Sequence, residues 1–364
     1  MSVGKNTSGI AVSTPGRICL FGEHQDYLHL PVIPCAISLR LTIEGTPRPD
    51  SLVHLSLPDV GSEVSFQVGQ HIDQSGKRDF FRSAMTVLAK HGLSFPGGFE
   101  CTVHGEIPIR AGASSSSAMV VAWICFLASM SDQHITLSGE DCARYAYEAE
   151  VLEVGGAGGM MDQYASACGG VFFLTSYPQI SLESLHPTLT SFVLGDSCQP
   201  KDTQGLLSST KQRVVSLVNT LSRHDSNFSL QSATLDTAEE LASHLRADEY
   251  RLLRGTLRNR DITYQALDLL RQPIMNERVF GELLNEHHAI LRDVLCISTP
   301  KIEKMLTAAL DAGAYGGKIN GSGGGGCMFV YAPEHTERIA EAIEKAGGKA
   351  YIVNVDTGVR IESI

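Results

Sequence analysis

The stretch Ile107-Pro108-Ile109-Arg110-Ala111-Gly112-Ala113-Ser114-Ser115-Ser116-Ser117-Ala118 lies between two apolar segments of different kinds. Before it, Phe99–Ile107 reads as a strand, and after it Ala118–Met130 reads as an apolar helix. A helix N-terminus carries free N–H groups and the positive end of the macrodipole, so it is a ready anion site. Four consecutive serines add hydroxyls that can bind phosphate oxygens or coordinate Mg²⁺. The same residues also suit a plain serine-rich N-cap and loop, and the local sequence leaves both readings open.

Two further glycine-rich clusters follow this one at a distance. Lys318-Ile319-Asn320-Gly321-Ser322-Gly323-Gly324-Gly325-Gly326-Cys327 formally contains GxGxxG, but the following segment reads as a strand rather than a helix, so a dinucleotide-binding turn is excluded. No GxxxxGK[ST] pattern occurs anywhere in the chain. What remains is a glycine loop between extended segments, either closing over a ligand or making a tight hairpin. The other cluster, Gly155–Gly159, leads into Met160-Met161-Asp162-Gln163. A carboxylate just after such a turn can meet a substrate closely, as a general base must, or can serve as an N-cap. Glu150 precedes Asp162 on a different predicted helix, so only the tertiary fold can bring the two together.

Near the N-terminus, Arg17, Glu23, His24, Asp26 and Tyr27 crowd behind a Pro15-Gly16 pair. Glu and Asp accept hydrogen bonds from hydroxyls while Arg and His donate, so the group suits a hydroxyl-rich ligand or a solvated polar loop. The histidines form no HExxH, and His287-His288 reads as a helix-surface or domain-interface feature; no structural metal site is expected.

Residues 8–21 read as strand, Pro-Gly turn and strand, with further strands at Val32–Ile43 and Val53–Val68. A capping box at Ser138 opens a helix expected to reach about Glu153. From Lys201 to roughly Asp311 the pattern is mainly helical. The fold class is therefore α+β. The composition shift near residue 195 divides the chain into domains 1–195 and 196–364.

A formal charge of −11, without a Lys/Arg run, argues against a nucleic-acid partner. An acidic chain that binds an anion must build its positive field from amides, a helix end, a metal ion and a few cations. Nine cysteines without a CxxC pair predict free thiols in a reducing compartment. Residues 1–17 lack a signal-peptide core, and no apolar run is long enough to cross a membrane. A soluble, cytoplasmic protein is expected.

In order, these segments resemble the GHMP kinase superfamily. The first is Thr14-Pro15-Gly16-Arg17-Ile18-Cys19-Leu20-Phe21-Gly22-Glu23-His24-Gln25-Asp26-Tyr27, the second Pro108–Ala118, and the third Lys318–Cys327. Gly159-Met160-Met161-Asp162-Gln163 is similar to the galactokinase segment that carries the catalytic aspartate. The resemblance implies a two-lobed fold with its active site in the cleft between domains, and a kinase using ATP and Mg²⁺. It implies Asp162 as base with Arg17 beside it, and Ser116 and Glu150 as Mg²⁺ ligands. It further implies Gly112, Ser114, Ser115, Ser116 and Ser117 around the ATP phosphates, with Gly323 and Gly324 nearby. Glu23, His24, Asp26 and Gly159 would meet a sugar-like acceptor. The partners are small molecules, and the chain would act as a monomer or homodimer.

Arg17 and Glu23–Tyr27 are closer to galactokinase than to mevalonate kinase, which has lysine at the Arg17 position. Leu28-His29-Leu30 departs from the galactokinase Asn-Gly-Gly, and Cys19 replaces a usual asparagine. The galactokinase tyrosine segment is not evident; Gly195–Thr203 stands near its place. Lys201 there is either a contact for an acidic acceptor or ordinary turn chemistry. A mevalonate-type kinase and a catalytically silent sugar sensor are the alternatives. A complete set of phosphoryl-transfer parts is what a mere binder would not need.

Overall fold

The computed structural model describes residues 9–70, 79–109, 111–200 and 203–364. Its backbone begins with a long antiparallel pair, β1 (Ile10–Phe21) and β2 (Ile33–Pro47). The expected turn at Pro15-Gly16 is absent, because β1 runs straight through it. A register shift between Pro15 and Gly16 absorbs the missing proline N–H, and pairing resumes at Gly16 opposite Ile37. The single strand expected over Val53–Val68 is instead a hairpin. β3 (Leu52–Leu57) and β4 (Ser62–Gln67) are joined through Pro58–Val60, where proline opens a tight turn.

α1 (Phe80–Lys90) then leads to β5 (Phe99–Gly105), which lies between β2 and β3, antiparallel to the first and parallel to the second. α2 (Ser115–Met130) follows, apolar all round and therefore central. Trp123 and Phe126 stack at 5.3 Å between ring centroids, and Phe99 packs edge-on against both. Burying each such ring stabilises the lobe by about 1.5–3 kcal/mol before entropy is counted. α3 (Gly139–Tyr147) is capped by Ser138, whose hydroxyl accepts from the Asp141 N–H. The helix expected to reach Glu153 changes character at Glu148–Leu152, a π-type turn that carries Glu150. Such turns are frequent at functional sites. α4 (Met161–Cys168), β6 (Val171–Thr175) and β7 (Ser181–Leu185) complete this part of the chain.

β8 (Phe192–Asp196) opens the second lobe, so a division at residue 195 falls inside that strand. The predicted helical region follows as α5 (Thr203–His224), α6 (Leu235–Glu240), α7 (Ala247–Leu270), α8 (Glu277–Asp293) and α9 (Pro300–Asp311). After these come β9 (Gly316–Ile319), β10 (Cys327–Tyr331), α10 (Thr336–Lys345) and β11 (Lys349–Val353). The last strand, β12 (Arg360–Ser363), returns to the first lobe and pairs with Ile10–Ser13 of β1. The larger sheet therefore has the order β12-β1-β2-β5-β3-β4, with β6 and β7 continuing from β2. The smaller sheet is antiparallel, in the order β11-β8-β10-β9. The class is α+β and the architecture two-lobed.

One residue type departs from expectation. Cys125 and Cys142 are disulfide-bonded where free thiols were predicted, because the packing of α2 on α3 brings them together; Cys19, Cys35, Cys101, Cys168, Cys198, Cys296 and Cys327 are free. Of the two readings of His287-His288, helix surface or domain interface, His287 takes the second, and both residues are buried. His287 stacks on Phe21 at 6.0 Å, where α8 meets β1, and His288 Nε2 lies 2.9 Å from Glu303 Oε1. Among the described residues no helix is long and apolar enough to cross a membrane.

Candidate active site

The serine stretch opens α2, and its geometry is shaped for an anion. Ser114, at the N-cap, has φ 62°, an uncommon conformation for a residue with a side chain, and makes no side-chain cap. Its Oγ is buried and has no hydrogen-bond partner among the described residues. The loop is held in place from both lobes. Arg17 N–H donates to Ala113 O at 3.2 Å, Arg17 Nη1 donates to Gly112 O at 2.5 Å, and Asn320 Nδ2 donates to Gly112 O at 2.9 Å. Cys327 N–H donates to Ala111 O at 2.5 Å.

This loop forms one wall of a cavity of about 690 Å³ between the lobes. Arg17, Glu23, His24, Asp26, Gly112, Ser114–Ser117, Glu150, Gly159 and Asp162 all line it, although they come from five separate places in the sequence. Gly323 and Gly324 do not line it; Gly321 and Ser322 do. Gly323 turns with φ +81° against Ile297, and the Gly324 N–H donates to Ile297 O at 2.7 Å, so this end of the loop is anchored to the second lobe. Lys201 lies outside the described residues.

Asp162 sits in the first turn of α4, behind the glycine-rich segment. Arg17 Nε donates to its Oδ1 at 2.8 Å, and Nη2 is also 2.8 Å from that oxygen. Burial alone would lower the Arg17 pKa, but the Asp162 and Glu23 carboxylates more than reverse this and hold the guanidinium cationic. Asp162 remains partly exposed to the cavity, with 30% of its side chain accessible, so an incoming hydroxyl can reach it.

Glu150 reaches the same cavity from the π-type turn. Burial pushes its pKa up, and hydrogen bonds from Ser117, Gln163 and Ser116 pull it back. Gln163 Nε2 donates to Glu150 Oε2 at 2.6 Å. Thus the fold brings Glu150, Ser116 and Asp162 into one neighbourhood. No cluster of three or more His, Cys, Asp or Glu suited to a metal exists among the described residues.

At the other end of the cavity Asp26 accepts from the Tyr27 N–H at 2.9 Å and the Met161 N–H at 3.2 Å. Burial and the nearby Asp162 charge raise its pKa to about 6, despite those hydrogen bonds. His24 Nδ1 lies 2.7 Å from the Tyr27 hydroxyl and Nε2 lies 3.1 Å from Ser322 O. Glu23 Oε2 accepts from Lys318 Nζ at 2.8 Å, an ion pair with both side chains at or below 3% exposure. Sequence reasoning named Glu23 but gave no function to Lys318, since a lone lysine before a glycine loop shows nothing of its burial. It also missed the apolar wall beside the serine loop, formed by Leu57, Val60, Phe80, Val103, Ile109 and Met119. Those residues are scattered over several elements and carry no motif.

Models of protein families match three stretches of this chain. They are the GHMP kinases N terminal domain over residues 79–170, the GHMP kinases C terminal over residues 266–349, and the galactokinase galactose-binding signature over residues 2–47. Together they span more than half of the chain and include the loop, the Asp162 segment and the Arg17–Tyr27 cluster. The chain belongs to the GHMP kinase family. Relatives of this GHMP kinase include the mevalonate kinase of Thermococcus onnurineus, 28% identical and covering 98% of this chain and 99% of the relative. Another is the human galactokinase, 29% identical over 97% of this chain and 92% of the relative. Among solved structures, the galactokinase of Lactococcus lactis complexed with galactose aligns with a TM-score of 0.84 at 20% identity, covering 97% and 95% of the two chains. The Methanococcus jannaschii mevalonate kinase gives 0.73 at 18% identity, covering 95% and 98%. The GHMP kinase fold is thereby shown for both lobes.

Proposed function

We propose that this GHMP kinase transfers the terminal phosphoryl group of ATP to a hydroxyl of a small polyhydroxylated acceptor, most simply a monosaccharide. The observation that carries this reading is the Arg17–Asp162 pair, set between an uncapped helix N-terminus and a cavity end lined by Glu23, His24 and Asp26. Carboxylates and a histidine suit hydroxyls, which both donate and accept hydrogen bonds. The match to a galactose-binding signature over residues 2–47 favours the same acceptor class.

The residues present fit MgATP. The unpartnered Ser114 Oγ and the free amides of the first turn of α2 offer donors to phosphate oxygens, and the apolar wall beside them suits a purine. Ser116 and Glu150 would hold Mg²⁺, which commonly takes only one or two protein oxygens and completes its shell with phosphate and water. Bound MgATP supplies the phosphoryl group and neutralises charge on it. The chain's own residues do the rest by positioning and electrostatics. Asp162 takes the proton as the acceptor oxygen forms its bond to phosphorus and the bond from phosphorus to ADP breaks. Arg17 holds that carboxylate oriented, and its Nη1 contact with Gly112 O ties the base to the phosphate loop.

A mevalonate-type acceptor is the second reading, favoured by mevalonate kinases of 27–28% identity that span 98% of the chain. A coupled ADP-release screen over aldoses, uronic acids, amino sugars and mevalonate decides between them. ADP release with an aldose supports the proposal; release with mevalonate alone overturns the sugar assignment. MgATP binding without release on any acceptor favours a silent sensor.

A further inference from the structure

Two neighbouring side chains of the second lobe are buried inside the first. Lys318, in β9, and Asn320, just beyond it, both have no solvent exposure. Lys318 Nζ donates to Cys19 O and to Glu23 Oε2, each at 2.8 Å. Asn320 Oδ1 accepts from the Cys19 N–H at 2.9 Å, and its Nδ2 donates to Gly112 O at 2.9 Å. The two therefore grip the backbone of the same residue, Cys19, on either side of its Cα, and then diverge. One reaches the acceptor end of the cavity and the other reaches the phosphate loop.

We infer that Lys318 and Asn320 are positioning residues with separate tasks, Lys318 holding Glu23 for the acceptor and Asn320 holding the Gly112 carbonyl for the nucleotide. The inference rests on the kinase reading above. Lys318 engages Oε2, one of the two carboxylate oxygens of Glu23, and Glu23 lines the cavity. A fixed Oε1 is an acceptor for one substrate hydroxyl. A buried carboxylate without its cation would be left uncompensated and turn away, and the hydroxyl contact would be lost. Asn320 acts on the other side, since Gly112 O also receives Arg17 Nη1. Its loss lets the loop shift relative to the amides that open α2.

The test is a split of two affinities in the full-length protein. MgATP binding is measured by calorimetry, and the acceptor KM with the aldose that the wild-type enzyme turns over fastest. Lys318→Met should raise the acceptor KM tenfold or more and leave the MgATP Kd within twofold. Asn320→Ala should weaken MgATP at least fivefold with little change in acceptor KM. Because Lys318→Met leaves Glu23 unpaired and can impair folding, the double variant Lys318→Met/Glu23→Gln is measured beside it. It should recover thermal stability while its acceptor KM stays high, whereas Lys318→Arg should restore part of the KM. Both variants moving both constants together, or neither constant moving, would overturn the division of tasks. If the wild-type chain binds MgATP but phosphorylates no aldose, the sugar reading fails by itself. The MgATP measurement then still decides the inference, which is lost if Asn320→Ala binds normally or Lys318→Met/Glu23→Gln binds weakly.

Discussion

Asp26 and Gly159 compete for one volume: the Asp26 carboxylate fills the space that a side chain on residue 159 would need. The close approach lets Asp26 accept from the Met161 N–H across the turn, so the acceptor-side loop and the Asp162 helix are locked together. Gly159→Ala is expected to raise the acceptor KM at least tenfold by displacing Asp26, with MgATP affinity within twofold of wild type. Steady-state kinetics and calorimetry check this, and a normal acceptor KM would show that the carboxylate can move without consequence.

Replacing the proposed base separates chemistry from binding. Asp162→Asn removes the proton acceptor but keeps the side-chain volume beside Arg17, so turnover should fall by about 10² or more. MgATP affinity should persist. Turnover within a few-fold of wild type would remove Asp162 from that role.

Asp26 also predicts how stability varies with pH. Its folded pKa of about 6 lies above the ordinary 3.8, chiefly because burial disfavours the charged form. Between these values the folded chain holds a proton that the unfolded chain has released. Stability from this group is therefore complete below about pH 4 and is lost as pH rises to 6, on the order of 2–3 kcal/mol in all. Urea denaturation of wild type and Asp26→Asn from pH 4 to 8 should show the wild-type advantage shrinking up to pH 6 and then levelling. A constant difference across that range would contradict it.

The metal proposal is read from a titration. Glu150→Gln and Ser116→Ala should each raise the Mg²⁺ concentration for half-maximal activity, by about tenfold or more for the charged ligand. Competition between protons and the metal for Glu150, whose pKa burial raises, should make wild-type Mg²⁺ affinity weaken towards acid pH. An unchanged titration in Glu150→Gln would place the metal elsewhere.

Residues that gather around one cavity from short ordered stretches were legible from sequence. Arg17, Glu23, His24, Asp26, Tyr27, Ser114–Ser117, Glu150 and Asp162 were named there, and all of them line one cavity. What sequence did not disclose depends on depth and on distant partners. Lys318 reads as an ordinary lysine until β9 carries it beneath Glu23, and His287 stays open between helix surface and domain interface until α8 sets it on Phe21. Local turn signals also misled where pairing was stronger. Pro15-Gly16 suggests a reversal, yet the ladder on β2 carries the strand past it. The Cys125–Cys142 bond followed from how α2 lies on α3, which the spacing of the two residues does not reveal.

The return of β12 to β1 has a consequence for the order in which this chain can mature during synthesis. Arg40 Nη1 pairs with Asp356 Oδ2 at 2.7 Å, Ile37 bridges to Val355, and Ile10–Ser13 pair with residues 360–363. A nascent chain that has emerged only as far as α10 thus has one border of its first sheet still bare. Bare strand borders recruit other chains. Only once residues 360–363 have emerged and paired with Ile10–Ser13 is that border covered.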